Sequence, residues 1–200
     1  MRGRRGAVAI AAVTAFVALT GCSLTNANSA GATSGDGPSP AGGPPGSDSA
    51  TTPPSAAALA GGACLLMNFD TVRTELGTAF TVSAAADSSG SFTCVLQGTS
   101  GSYPSLTLTI TATDLSTSDF TAQVAPDGAK PVAELGKIAY EIQMPATKSA
   151  GPAIDVGWLS GNNRLIDFRY VCAAGTPTAT AAALIPKMVS LSKIVDQTTM

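Results

Sequence analysis

The chain has 200 residues, 44% of them hydrophobic and only 12% charged, with a formal net charge of −2 and no histidine. The missing imidazole excludes Ser-His and Cys-His nucleophile pairs, His general bases and His-ligated zinc. From Ala63 onward eight Lys or Arg stand against eleven Asp or Glu, and the basic cluster is confined to Arg2, Arg4 and Arg5. Neither phosphate-neutralising nucleic-acid binding nor a polybasic membrane patch fits that distribution.

Arg2, Arg4 and Arg5 precede an uncharged apolar run from Ala7 to Leu19. A spanning helix takes about 20 such residues, so this shorter run suits the h-region of a signal peptide. Leu19-Thr20-Gly21-Cys22 resembles the bacterial lipobox. That resemblance implies cleavage after residue 21 and a diacylglycerol group on the Cys22 thiol, with the chain held on the extracytoplasmic side of the cell membrane. Two acyl chains, at about 0.8 kcal/mol per buried CH₂, suffice for stable anchoring where one is marginal. Residues 1–21 are thus expected to be the signal peptide. Residues 22–62 are expected to be a lipidated tether, since Gly35 to Ser55 holds only Gly, Asp, Pro, Ser, Ala and Thr and cannot build a core.

The pattern turns globular at Ala63, and residues 63–200 are expected to form one domain. Asn68 as N-cap, apolar Phe69, Val72 and Leu76, and Gly77 at the end predict a helix over 69–76. Phe92, Cys94 and Leu96, then Leu106, Leu108 and Ile110, alternate with polar residues as strands do. A short helix is expected over 117–124 with Phe120 and Val124 inward, ended by the turn Pro126-Asp127-Gly128. Three more strands follow, with Ile138, Tyr140 and Ile142, then Ile154, Val156 and Trp158, then Ile166, Phe168, Tyr170 and Cys172 expected to face the core. A three-residue loop from Gly161 to Asn163 would set Trp158 opposite Ile166, Val156 opposite Phe168 and Asp155 opposite Arg169. Thr176 and Pro177 suit the start of a closing helix carrying Leu184, Met188, Leu191 and Val195, which Pro186 should bend or interrupt. The sum is an α+β fold, an antiparallel β-sheet with two or three helices packed on one face.

Three cysteines remain beyond Cys22, namely Cys64, Cys94 and Cys172. An oxidising compartment implies one disulfide and one leftover thiol, with three pairings open. The order of a C-x-L start, a helix ending in Leu-Gly, a second Cys in a strand and Glu134-Leu135-Gly136-Lys137-Ile138-Ala139-Tyr140 is similar to a family of actinobacterial, mycobacterial-type lipoproteins. Those proteins carry a small extracytoplasmic domain of unknown function and often a G-L-G-x-x-A stretch, matched here by Leu135-Gly136 and Ala139. The resemblance spans Cys64 to Val195. It implies a Cys64–Cys94 disulfide, with Cys172 left as a buried thiol, and brings no catalytic residues.

Ser190-Leu191-Ser192-Lys193 fits S-x-x-K, but its companion S-D-N and K-T-G elements are missing. The acidic residues, Asp155, Asp167 and Asp127 among them, fall on expected outer faces or turns and read as solvated. No calcium loop, phosphate loop or dinucleotide fingerprint occurs, so no metal or cofactor is expected. Tyr140 and Trp158 are the aromatics best placed to line a ligand cleft between helices and sheet. The expectation is a non-enzymatic binding or accessory domain for a small envelope ligand or protein partner. The alternatives are an envelope hydrolase using carboxylates or a Ser-Lys pair, and a purely structural component.

Overall fold

The structure is a computed structural model that describes residues 61–199; the signal segment, Cys22 and the tether to residue 60 lie outside the described residues. A 3-10 turn over Gly62–Leu66 leads into α1, Phe69–Leu76. Asn68 caps α1 by accepting from the backbone N–H of Asp70 at 2.8 Å and of Thr71 at 3.3 Å. Gly77 ends it in the left-handed region, φ 73°, where glycine carries no Cβ penalty.

Strands β1 Val82–Ser88, β2 Ser91–Gln97 and β3 Ser105–Ala112 come next. They are followed by α2, Thr117–Asp119, which runs on as a π-helical turn over Phe120–Val124. The two-residue β4, Lys130–Pro131, precedes β5 Ile138–Met144, β6 Ala153–Leu159 and β7 Arg164–Val171. All pairings are antiparallel, in the order β1-β2-β3-β7-β6-β5-β4. The C-terminal helices are α3, Thr178–Ala182, and α4, Ile185–Thr199. The fold is α+β, as the sequence predicts.

The β6–β7 hairpin has the expected register. Trp158 pairs with Ile166, Val156 with Phe168 and Asp155 with Arg169. Ser160 N donates to the Arg164 carbonyl at 2.9 Å and closes the loop, and Asn163 takes φ 60°, a conformation asparagine tolerates well. The break between α3 and α4 places Pro186 in the first turn of a new helix, where its missing N–H costs least. Thr176 does not cap α3; its hydroxyl donates back to the Ala173 carbonyl at 2.7 Å, and Pro177 occupies the cap position.

Each sheet face carries its own cluster. Leu96, Leu108, Ile154, Val156, Trp158, Ile166 and Phe168 are fully buried against α1, α4 and the 3-10 turn, with Met188, Leu191 and Val195 supplied by α4. By length and composition the segment Thr178–Thr198 could cross a membrane; here its apolar stripe is consumed by this core. Strand β5 departs from the expected orientation. Its register sets Ala139 beside Trp158 and Tyr140 beside Gly157, so Ile138, Tyr140 and Ile142 project to the opposite face. There Tyr140, Phe120 and Leu159 form a second, smaller core under the 117–124 helix, which therefore lies on the face away from α1 and α4. Small partners explain the arrangement: Ala139 leaves room for the indole, and Gly157 leaves room for the Tyr140 ring.

Candidate functional site

Trp158 and Tyr140 do not share a cleft, which corrects the expectation for them. Trp158 is fully buried in the larger core and donates from Nε1 to Asp196 Oδ1 at 2.8 Å. Tyr140 sits on the other face, its ring 5.8 Å from that of Phe120. Adjacent residues of β5 and β6 alternate between faces, so a strand pair that puts Trp158 inward must put Tyr140 outward. Tyr140 does line a recess of about 320 Å³ with Phe120, Pro126 and Ile138.

The Tyr140 face also holds the most perturbed titratable groups. Asp155 is not solvated as the sequence suggested but 7% exposed. Its Oδ1 has no hydrogen-bond partner, and Arg169 Nε stands 3.6 Å away, too far for one. Burial, reinforced by the Asp167 carboxylate and opposed by Arg169, pushes the Asp155 carboxyl up to about 6. Burial raises Asp167 as well, again opposed by Arg169. Burial first, then these two carboxylates, push the Tyr140 phenol up to about 12. The Asp155 carboxyl therefore holds its proton to higher pH than an ordinary carboxylate. Neither carboxylate lines the Tyr140 recess, and among the described residues no three His, Cys, Asp or Glu gather as metal ligands.

In the S-x-x-K segment Lys193 Nζ lies 3.3 Å from Glu134 Oε2, and Ser190, the serine of that motif, is exposed on α4. Cys64 and Cys94 form the disulfide, and Cys172 is a buried free thiol, 3% exposed, whose burial raises its pKa and keeps it protonated.

The groove suited to a ligand lies on the helix face, at the end where the chain enters the fold. The 3-10 turn lies over β1, β2 and β3 and is pinned to β2 by the Cys64–Cys94 bridge. Its Leu65 and Leu66 separate two cavities and line both. One, about 330 Å³, is bounded by Ala63, Phe92, Ile110 and Arg164. The other, about 450 Å³, runs between α1 and α4 past Val72, Leu191, Ile194 and Val195. Leu65 is 66% exposed, the most exposed of the large apolar side chains described. Sequence reasoning did not single out these residues, because the C-x-L start was read for its cysteine and Arg164 stands alone, and the crossing of the 3-10 turn over the sheet brings them together.

Comparison with protein-family models, with curated proteins and with solved structures finds no match to this chain.

Proposed function

We propose that this chain is a lipid-anchored extracytoplasmic protein whose domain is a non-enzymatic binding module for a small apolar envelope ligand. The observation that carries the reading is the pair of adjoining apolar cavities either side of Leu65 and Leu66, each within the roughly 300–1,000 Å³ usual for ligand pockets. Leu65 and Leu66 line both cavities and so join them into one apolar surface. The proposed anchor at Cys22 would keep such a module beside the membrane and wall that supply its ligand.

Ligand-dependent thermal shift tests the binding. A ligand at 100 times its Kd stabilises the fold by roughly 2.7 kcal/mol through mass action, and Leu66→Asp should abolish that shift. A domain whose melting is unmoved by any envelope lipid, glycan or peptide argues against the reading. Membrane fractionation tests the anchor. Cys22→Ala should release the protein, and continued membrane retention would count against lipidation.

A carboxylate-dependent hydrolase is the second reading, favoured by the elevated pair Asp155 and Asp167 beside Tyr140. Hydrolysis of an envelope ester or glycoside that Asp155→Asn eliminates would establish it in place of the first.

A further inference from the structure

We propose that the groove around Leu65 and Leu66 takes an anionic amphiphile, its carboxylate or phosphate head on Arg164 and its alkyl chain laid across the two leucines towards α4. The proposal rests on the apolar-ligand reading above and names the chemical class.

Arg164 opens β7 on the helix face, paired with Ala112 of β3 and one step beyond the row Phe92, Ile110 and Ile166. It borders the first cavity, whose other lining residues are Gly62, Ala63, Leu65, Leu66, Phe92 and Ile110. A single cation at the rim of an apolar cavity is complementary to a ligand with one charged end. The described ion pairs join Arg73 to Asp70, Arg169 to Asp155 and Lys193 to Glu134. The Arg164 guanidinium enters no ion pair among the described residues, so its fork of donors is available to a carboxylate or phosphate. Asp87 lies on the same face beside Phe92, on the edge strand. Three strand spacings, about 14 Å, separate it from β7, more than a Debye length at physiological salt. It neither neutralises Arg164 nor repels a head group bound there.

The tail has a continuous route. Leu65 and Leu66 line both cavities, so a chain that starts at Arg164 and crosses them reaches the slot between α1 and α4. The far cavity is closed by Val72, Leu191, Ile194 and Val195, with Asn68, Thr71 and Thr198 at its polar edge.

The test compares three ligands of one chain length on the full chain as exported, by calorimetry below their micellar limits. They are dodecanoate, a dodecanoyl lysophosphatidylglycerol and uncharged dodecanol. The charged ligands should bind about tenfold more tightly than dodecanol, one exposed charge-assisted contact being of that size. Arg164→Gln should erase that advantage, so that the charged ligands bind no more tightly than dodecanol. Arg164 is the exposed first residue of its strand, so the variant should fold, and an unchanged urea midpoint checks that it does. Tighter binding of the lysophospholipid would identify a phospholipid source, and tighter binding of dodecanoate a fatty acid; either supports the proposal. Equal affinity for charged and uncharged ligands in the unaltered protein overturns it and leaves the apolar-ligand reading standing. Failure of all three to bind overturns both.

Discussion

The indole nitrogen of Trp158 donates a 2.8 Å hydrogen bond to the Asp196 carboxylate, tying the C-terminal end of β6 to the last turn of α4. Both residues are buried, Trp158 at 0% and Asp196 at 4% exposure. An indole N–H taken from water needs an acceptor, and only α4 brings one to it here. Asp196→Ala should therefore destabilise the domain by about 1–3 kcal/mol, the cost of an orphaned buried donor. Asp196→Asn keeps an acceptor and should lose less. Urea denaturation followed by Trp158 fluorescence measures both, and equal losses for the two variants would remove the hydrogen bond as the cause.

The Asp155 carboxyl should make the fold less stable as pH rises from about 4 to about 6. In the open chain it titrates near its ordinary value of 3.8, and in the fold near 6. Between those values the folded state holds a proton that the unfolded state has released, so the slope of stability against pH is negative. At pH 7 the buried charge therefore works against the fold, and Asp167, raised in the same direction, adds to the trend. Asp155→Asn should raise the urea midpoint at pH 7 and flatten its dependence between pH 4 and 6. The exposed Arg169 loses only a 3.6 Å ion pair, which contributes little against that gain. A variant no more stable than the parent at pH 7 would contradict the placement of Asp155.

The hairpin from Ala153 to Val171 was legible in the sequence because three independent constraints agree on one register: loop length, apolar faces and the Asp155–Arg169 pair. The α1 boundaries were legible because Asn68 and Gly77 are side-chain and backbone solutions to helix ends. Strand β5 was not. Ile138, Tyr140 and Ile142 are its larger apolar residues, but the sheet has apolar cover on both faces, and the space beside Trp158 accepts only Ala139. Strand β1 was not legible either. Val-Ser-Ala-Ala-Ala-Asp-Ser has no alternating hydrophobic pattern, and its strand exists by pairing along β2. The groove depends on a contact between segments far apart in the chain, which no local pattern reports.

Gly157 is held by the ring that covers it. A Cβ there would stand 2.5 Å from Tyr140 Cε1 and 2.7 Å from its hydroxyl. Gly157→Ala should displace Tyr140 from its contact with Phe120, at about 1–3 kcal/mol for overpacking. In a Tyr140→Ala background the same change should cost far less, because the clash is gone. A denaturation cycle over the four chains reads the coupling. An unchanged cost in both backgrounds would place the strain in the β6 backbone instead.

The bridge between Cys64 and Cys94 holds the groove as well as the fold. It closes a loop of sequence separation 30, worth roughly 3–4 kcal/mol in the chain-entropy account. It also fastens the 3-10 turn carrying Leu65 and Leu66 to the centre of β2. The double variant Cys64→Ser, Cys94→Ser should lose about that much stability and, with the turn released, most of its affinity for an apolar ligand. Cys172 is not available to replace either partner: it is buried, and its thiol is held protonated. Mass spectrometry of the non-reduced chain should show the domain with one internal disulfide and one thiol that alkylates only after unfolding. Rapid alkylation of Cys172 in the native protein would show that its strand end opens, and ligand affinity unaltered by loss of the bridge would separate the groove from the 3-10 turn that frames it.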